Sequence, residues 1–129
     1  GVLSGLAKGL DPLTKAHRIQ ERVAGVGFDW EDHRGAWDKV AEELEEVREA
    51  MEEQNPRAVE EELGDLLFAV VNLTRLAGSH PTTALDQANR KFRERFEKLE
   101  ALARDRGISL EKAGLDVLDA LWEELKSAQ

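Results

Sequence analysis

Residues 39–51, KVAEELEEVREAM, and residues 58–73, AVEEELGDLLFAVVNL, decide how this chain folds. In the first stretch Val40, Leu44, Val47 and Met51 step by 4, 3 and 4, the spacing of one face of an α-helix. A shift of nineteen residues lands on Val59, Leu63, Leu66 and Val70 and repeats that stripe. The same shift carries Glu43 onto Glu62 and Glu46 onto Asp65. Two successive helices therefore present the same pair of acids beside the same expected core stripe. A strand would alternate with a period of two, and neither stretch does.

Proline and glycine punctuate the chain on either side. Asp11 caps and Pro12 opens a helix over residues 11–24, and GVGFDW at 25–30 interrupts the pattern. The second helix is expected from about Asp32 to Gln54. Asn55 caps the third, which Pro56 opens and Gly78 stops after Ala77. His80-Pro81-Thr82 starts a fourth, ending at Arg106 before Gly107. A last helix begins at Ser109 or Asp116 and runs to about Lys126. Short connections make neighbours antiparallel. The expected fold is all-α: one four-helix-bundle-like domain over residues 1–129 with an additional helix, residues 1–10 being linker or irregular.

Composition narrows the function. The 129 residues are 41% hydrophobic and 35% charged, as in a soluble globular domain. The absence of cysteine excludes a disulfide scaffold, a zinc ribbon, a thiol nucleophile and an iron–sulfur site, and suits a reducing cytoplasm. The longest apolar run, Leu66 to Val71, is too short to span a membrane. No Walker A, GxGxxG or GxSxG pattern occurs. A start at Gly1 reads as a processed, tagged or excised chain. The net charge of −9 lies entirely within residues 42–65, which hold 11 acids and two bases; the remainder has 16 of each. Acid concentrated this way repels a nucleic-acid backbone and attracts cations.

The helical wheel sorts these acids. Glu45, Glu49, Glu52 and Glu53 lie opposite the apolar stripe, on a solvated face. Glu43 and Glu46 lie on one flank of the stripe with Lys39, Ala36 and Ala50, and Glu42 stands at its outer edge. On the third helix Glu62 and Asp65 take the equivalent flank beside Ala69, with Glu61 at the edge. Four carboxylates on facing helices repel, so protons, basic side chains or metal ions must meet them. A set of oxygen donors without His or Cys favours Mg²⁺ or Mn²⁺. On the fourth helix Phe92, Phe96 and Leu99 mark the core side, Lys91 and Arg95 share a flank suited to phosphate, and Asn89 borders the stripe. His17, His33 and His80 read as surface or capping residues. Trp30, Trp37 and Trp122 read as core, with Trp122 also a candidate wall for a base or ribose.

Taken in order, these segments resemble the MazG-type nucleoside triphosphate pyrophosphohydrolases. Glu42-Glu43-Leu44-Glu45-Glu46 followed by Glu62-Leu63-Gly64-Asp65 is similar to the family's EExxE…ExxD signature. Ala88-Asn89-Arg90-Lys91-Phe92-Arg93-Glu94-Arg95-Phe96 is similar to its ANxKFxxRF segment, and GVGFDW to the approach to the first motif. The resemblance covers roughly residues 13–126. It implies an all-α fold and Mg²⁺-dependent cleavage of ribo- or deoxynucleoside triphosphates to the monophosphate and pyrophosphate. It implies metal ligands at Glu43, Glu46, Glu62 and Asp65, the four acids the wheel selects, and substrate contacts at Lys39, Asn89, Lys91, Arg95 and Trp122. Glu42 or Glu61 is the expected proton acceptor for the attacking water. The resemblance further implies a homodimer or larger assembly, with Phe68 and Val71 fitting its interface. A single copy of the motifs reads as the C-terminal domain of a two-domain protein or a single-domain relative. Two alternatives stand beside this reading: a narrower pyrophosphohydrolase acting on dUTP, dCTP or phosphoribosyl-ATP, and a non-catalytic helical interaction module.

Overall fold

The computed structural model describes residues 1–128. Among them are six α-helices and no strand, as the all-α reading requires: α1 (Pro12–Ala24), α2 (His33–Glu52), α3 (Pro56–Leu76), α4 (Pro81–Asp105), α5 (Leu110–Ala113) and α6 (Leu115–Ser127). The chain forms two compact units, one over residues 1–84 and one from residue 85 onward.

Side chains set the helix starts. Asp11 Oδ1 accepts from the Thr14 amide at 3.1 Å, and Asp32 Oδ1 from the Arg34 amide at 2.8 Å. Asn55 Oδ1 accepts from the Ala58 amide at 3.3 Å ahead of Pro56. These bonds satisfy amides that have no partner inside the first helical turn. At α4 the His80 ring does the same work, its Nδ1 accepting from the Thr82 amide at 3.1 Å. Helix α2 ends at Glu52, two residues before the expected Gln54, which takes a left-handed φ of 56° in the turn to α3. Of the two expected starts for the last helix, Asp116 falls at the opening of α6, while Ser109 stands at the N-cap of the separate four-residue α5; Gly114 between them adopts φ 82°.

In the first unit α3 packs extensively against α2 and, over a shorter stretch, against α1. The buried line on α2 is Ala36, Glu43, Val47 and Ala50, and on α3 it is Ala69 and Val71. This corrects the sequence reading. Only Val47 of the expected stripe is buried on α2, while Leu44 and Met51 are more than half exposed. Leu63 and Val70 of the α3 stripe are exposed as well. The contact follows the alanines, whose small side chains let two helices approach closely. It therefore runs along the flank where the acids lie. Val71, expected at a subunit interface, is buried, whereas Phe68 is exposed.

Helix α1 is held to α3 by the buried Gln20, whose Nε2 donates to the Phe68 carbonyl at 2.9 Å. His17 is buried too, not on the surface as expected, and its ring lies 4.2 Å from that of His80. Burial pushes the His17 imidazole below its ordinary pKa.

The second unit has its own small core of Leu99, Ala103 and Leu121, with Ile108, Leu118 and Trp122 packed around it. Leu99→Ala there would cost about 3 kcal/mol, the usual penalty for emptying a leucine site. Arg106 adds a two-pronged bond to Glu124, at 2.9 and 2.5 Å. Phe92, expected in the core, is largely exposed beside Trp122.

Candidate active site

The burial of α2 along its alanine line forces Glu43 inside. Its side chain is only 6% exposed, and an isolated carboxylate at that depth would be costly. Two kinds of neighbour surround it. On its own helix Lys39 Nζ lies 3.0 Å from Glu43 Oε1 and 3.5 Å from Glu42 Oε2. The Glu43 hydrogen bond raises the Lys39 pKa further, so the ammonium stays charged. From α3 come Glu62 and Asp65. Glu43, Glu62 and Asp65 each place one carboxylate oxygen in a cluster whose atoms lie within 4.8 Å of one another.

Glu46 stands outside that trio but beside Glu62. The hydrogen bond between the two carboxyls, then desolvation, then the charges of Glu46, Asp65 and Glu43 push the Glu62 pKa up to about 7. Lys39 offsets only part of the local negative charge. Glu43 Oε2 and Glu62 Oε2 are buried without a hydrogen-bond partner. Buried acceptors left this way call for a cation or a donor. Oxygen donors from carboxylates suit Mg²⁺ or Mn²⁺, so the residues present fit a hard divalent ion. Glu42 and Glu61 are both exposed.

A cavity of about 740 Å³ opens beside the cluster, with Lys39, Glu43 and Asp65 in its wall. Its other walls are the loop residues Phe28, Asp29 and Trp30 and the α3 residues Phe68, Ala69, Asn72 and Arg75. The loop is pinned by Asp29. Its carboxylate accepts from Arg75 Nη1 at 3.0 Å and Nη2 at 2.6 Å, and from the Trp30 amide at 2.9 Å. Arg75 holds the Asp29 pKa below the ordinary carboxylate range and also donates to Asn72 Oδ1 at 2.6 Å. Sequence reasoning missed this cavity. It took GVGFDW as an interruption between helices and Trp30 as core, yet Trp30 is 44% exposed. Asp29 and Arg75 are 46 residues apart, so no local spacing announces their pairing. Trp37 is likewise exposed, not core.

Asn89, Lys91, Arg95 and Trp122 belong to the second unit. Within it Arg95 lies over the Trp122 ring, 5.1 Å from its centroid, while Asn89 and Lys91 are exposed on α4. The motif spacing is thus expressed as a cation–π contact between α4 and α6.

Helical architecture, paired acids on α2 and α3, and the adjoining cavity together define an all-α domain with an acidic cluster at a cavity wall. The chain belongs to the MazG nucleotide pyrophosphohydrolase domain family, whose description matches residues 32–100. It is 48% identical over 114 residues to the nucleoside triphosphate pyrophosphohydrolase/pyrophosphatase MazG of Thermotoga maritima, which covers 88% of this chain and 44% of that protein. It is 40% identical over 128 residues to the nucleoside triphosphate pyrophosphohydrolase of Escherichia coli K12, covering 96% of this chain and 48% of that protein. The chain therefore spans less than half the length of these two curated relatives. No helix among the described residues is long and apolar enough to cross a membrane.

Proposed function

We propose that this domain hydrolyses ribo- or deoxynucleoside triphosphates to the monophosphate and pyrophosphate. The single observation that carries the reading is the trio Glu43, Glu62 and Asp65, with an unpartnered buried oxygen on Glu43 and another on Glu62, and with Glu43 and Asp65 in the wall of a cavity large enough for a nucleoside. Glu43, Glu46, Glu62 and Asp65 would hold Mg²⁺. That ion supplies neutralisation of the triphosphate and polarisation of the α-phosphoryl group. The names of the relatives support the reaction class.

The chain's own residues do the rest. Lys39 keeps the cluster from excess negative charge and offers its ammonium to a phosphate oxygen. Glu42 or Glu61, both exposed, accepts the proton of the attacking water. Water's oxygen bonds to the α-phosphorus, the bond to the bridging oxygen breaks, and pyrophosphate leaves with the electron pair. Phe28 and Trp30 give the cavity aromatic surface for a planar base. Asn89, Lys91, Arg95 and Trp122 are assigned as substrate contacts from the family motif. A second copy of the chain covers the apolar face left by Leu44, Met51, Leu63, Leu67 and Val70, giving a homodimer or the repeating unit of a larger homo-oligomer.

A panel of ribo- and deoxynucleoside triphosphates tests the reading, with pyrophosphate release measured for each. Release from several of them supports a general nucleotide-clearing activity. Release from one alone would favour a narrower substrate. No release from any would leave a non-catalytic interaction module.

A further inference from the structure

Gly35 is the third residue of α2, where its backbone is ordinarily helical and nothing in its φ requires glycine. Alanine is the better helix former, so a reason must come from space. A Cβ on Gly35 would meet the Trp30 indole at 2.5 Å from Cε3, 2.8 Å from Cδ2 and 3.1 Å from Cζ3. The benzo ring of Trp30 therefore rests on bare helix backbone. Trp30 also lines the 740 Å³ cavity that Lys39, Glu43 and Asp65 share. Its amide is fixed by Asp29, and Asp29 by Arg75. Backbone and ring are thus each held by a separate device, and Gly35 is the one for the ring.

We infer that Gly35 is a positioning residue for substrate specificity, seating Trp30 as the wall against which a planar base stacks. The inference rests on the proposed nucleotide reading and deepens it. Trp30 is 44% exposed, so a methyl group at position 35 can displace the ring outward without breaking the first turn of α2. The effect of Gly35→Ala should fall on nucleotide affinity, while the acid cluster is left as it is.

Two measurements test this on the whole chain. One is ATP affinity by calorimetry with Ca²⁺ to slow turnover; the other is steady-state pyrophosphate release with Mg²⁺. Gly35→Ala should weaken Kd and raise KM about tenfold, with kcat within about twofold and the Mg²⁺-induced rise in melting temperature unchanged. The smaller ring of Trp30→Phe relieves the clash, so Gly35→Ala in that background should cost less than about twofold. Wild-type Kd in Gly35→Ala, or an equal loss with Trp or Phe at position 30, would overturn the inference. ATP binding without pyrophosphate release would sink the proposed reaction, and the Kd comparison would still decide the role of Gly35. Absence of ATP binding in the wild type would remove both.

Discussion

Lys39 Nζ sits 3.0 Å from Glu43 Oε1, one helical turn along α2, and leaves Glu43 Oε2 buried without a partner. One cation is thus shared between a buried acid and an exposed one, Glu42. Lys39→Met should lower the stability of the fold only slightly, because Lys39 is 43% exposed and solvent screens the pair. The same change should raise KM for a triphosphate more than tenfold. Chemical denaturation and initial rates check the two halves separately.

Divalent metal should stabilise the fold. Binding to the folded state alone contributes about 2.7 kcal/mol at a hundredfold excess over Kd. For a domain of this size the melting temperature should rise on the order of 10 °C. Glu43→Gln and Asp65→Asn should abolish most of that rise. Glu49→Gln and Glu53→Gln, on the exposed face, should keep it. Equal losses in all four variants, or the same rise with a matched increase in NaCl, would mean diffuse screening.

The raised pKa of Glu62 gives the metal-free protein a pH signature. Its carboxyl binds a proton more tightly folded than unfolded, so its contribution to stability is full below about 4.5 and is lost as pH rises through about 7. Stability without metal should therefore fall between those values, and Glu62→Gln should flatten the fall. Mg²⁺ should remove it in the wild type. A drift unchanged in Glu62→Gln would place the titrating group elsewhere.

The apolar face of the first unit makes a prediction about assembly. Leu67 is 63% exposed and lines a groove with Met51, Val59 and Leu63. Leu67→Glu should convert a dimer to a monomer in sedimentation velocity, with helical content retained. A wild-type chain that sediments as a monomer at all concentrations would contradict this assignment.

Residue spacing makes the helices legible because their starts are written locally. Asp11, Asp32 and Asn55 each cap a helix within three residues, so no distant contact is needed to read them. The acids are legible for the same reason: the nineteen-residue echo places Glu43 and Glu62 on matching faces, and the structure brings them together with Asp65. What the wheel misjudges is which face is inside. It ranks Leu44 and Met51 above Ala36 and Ala50 by hydrophobicity, but small side chains decide how close two helices come. The large apolar residues are then left outside, a result no single-helix pattern can give. The cavity is invisible for a different reason. Its loop is fixed by Asp29 and Arg75, and its ring by a missing Cβ at Gly35, and both are non-local facts.

Hydrolysis of ATP in ¹⁸O-labelled water, with both products analysed by mass, tests the central claim most directly. Attack at the α-phosphorus puts the label in AMP and leaves the released pyrophosphate unlabelled, with the rate lost in Asp65→Asn. Label in the pyrophosphate, or formation of ADP and inorganic phosphate, would contradict the account.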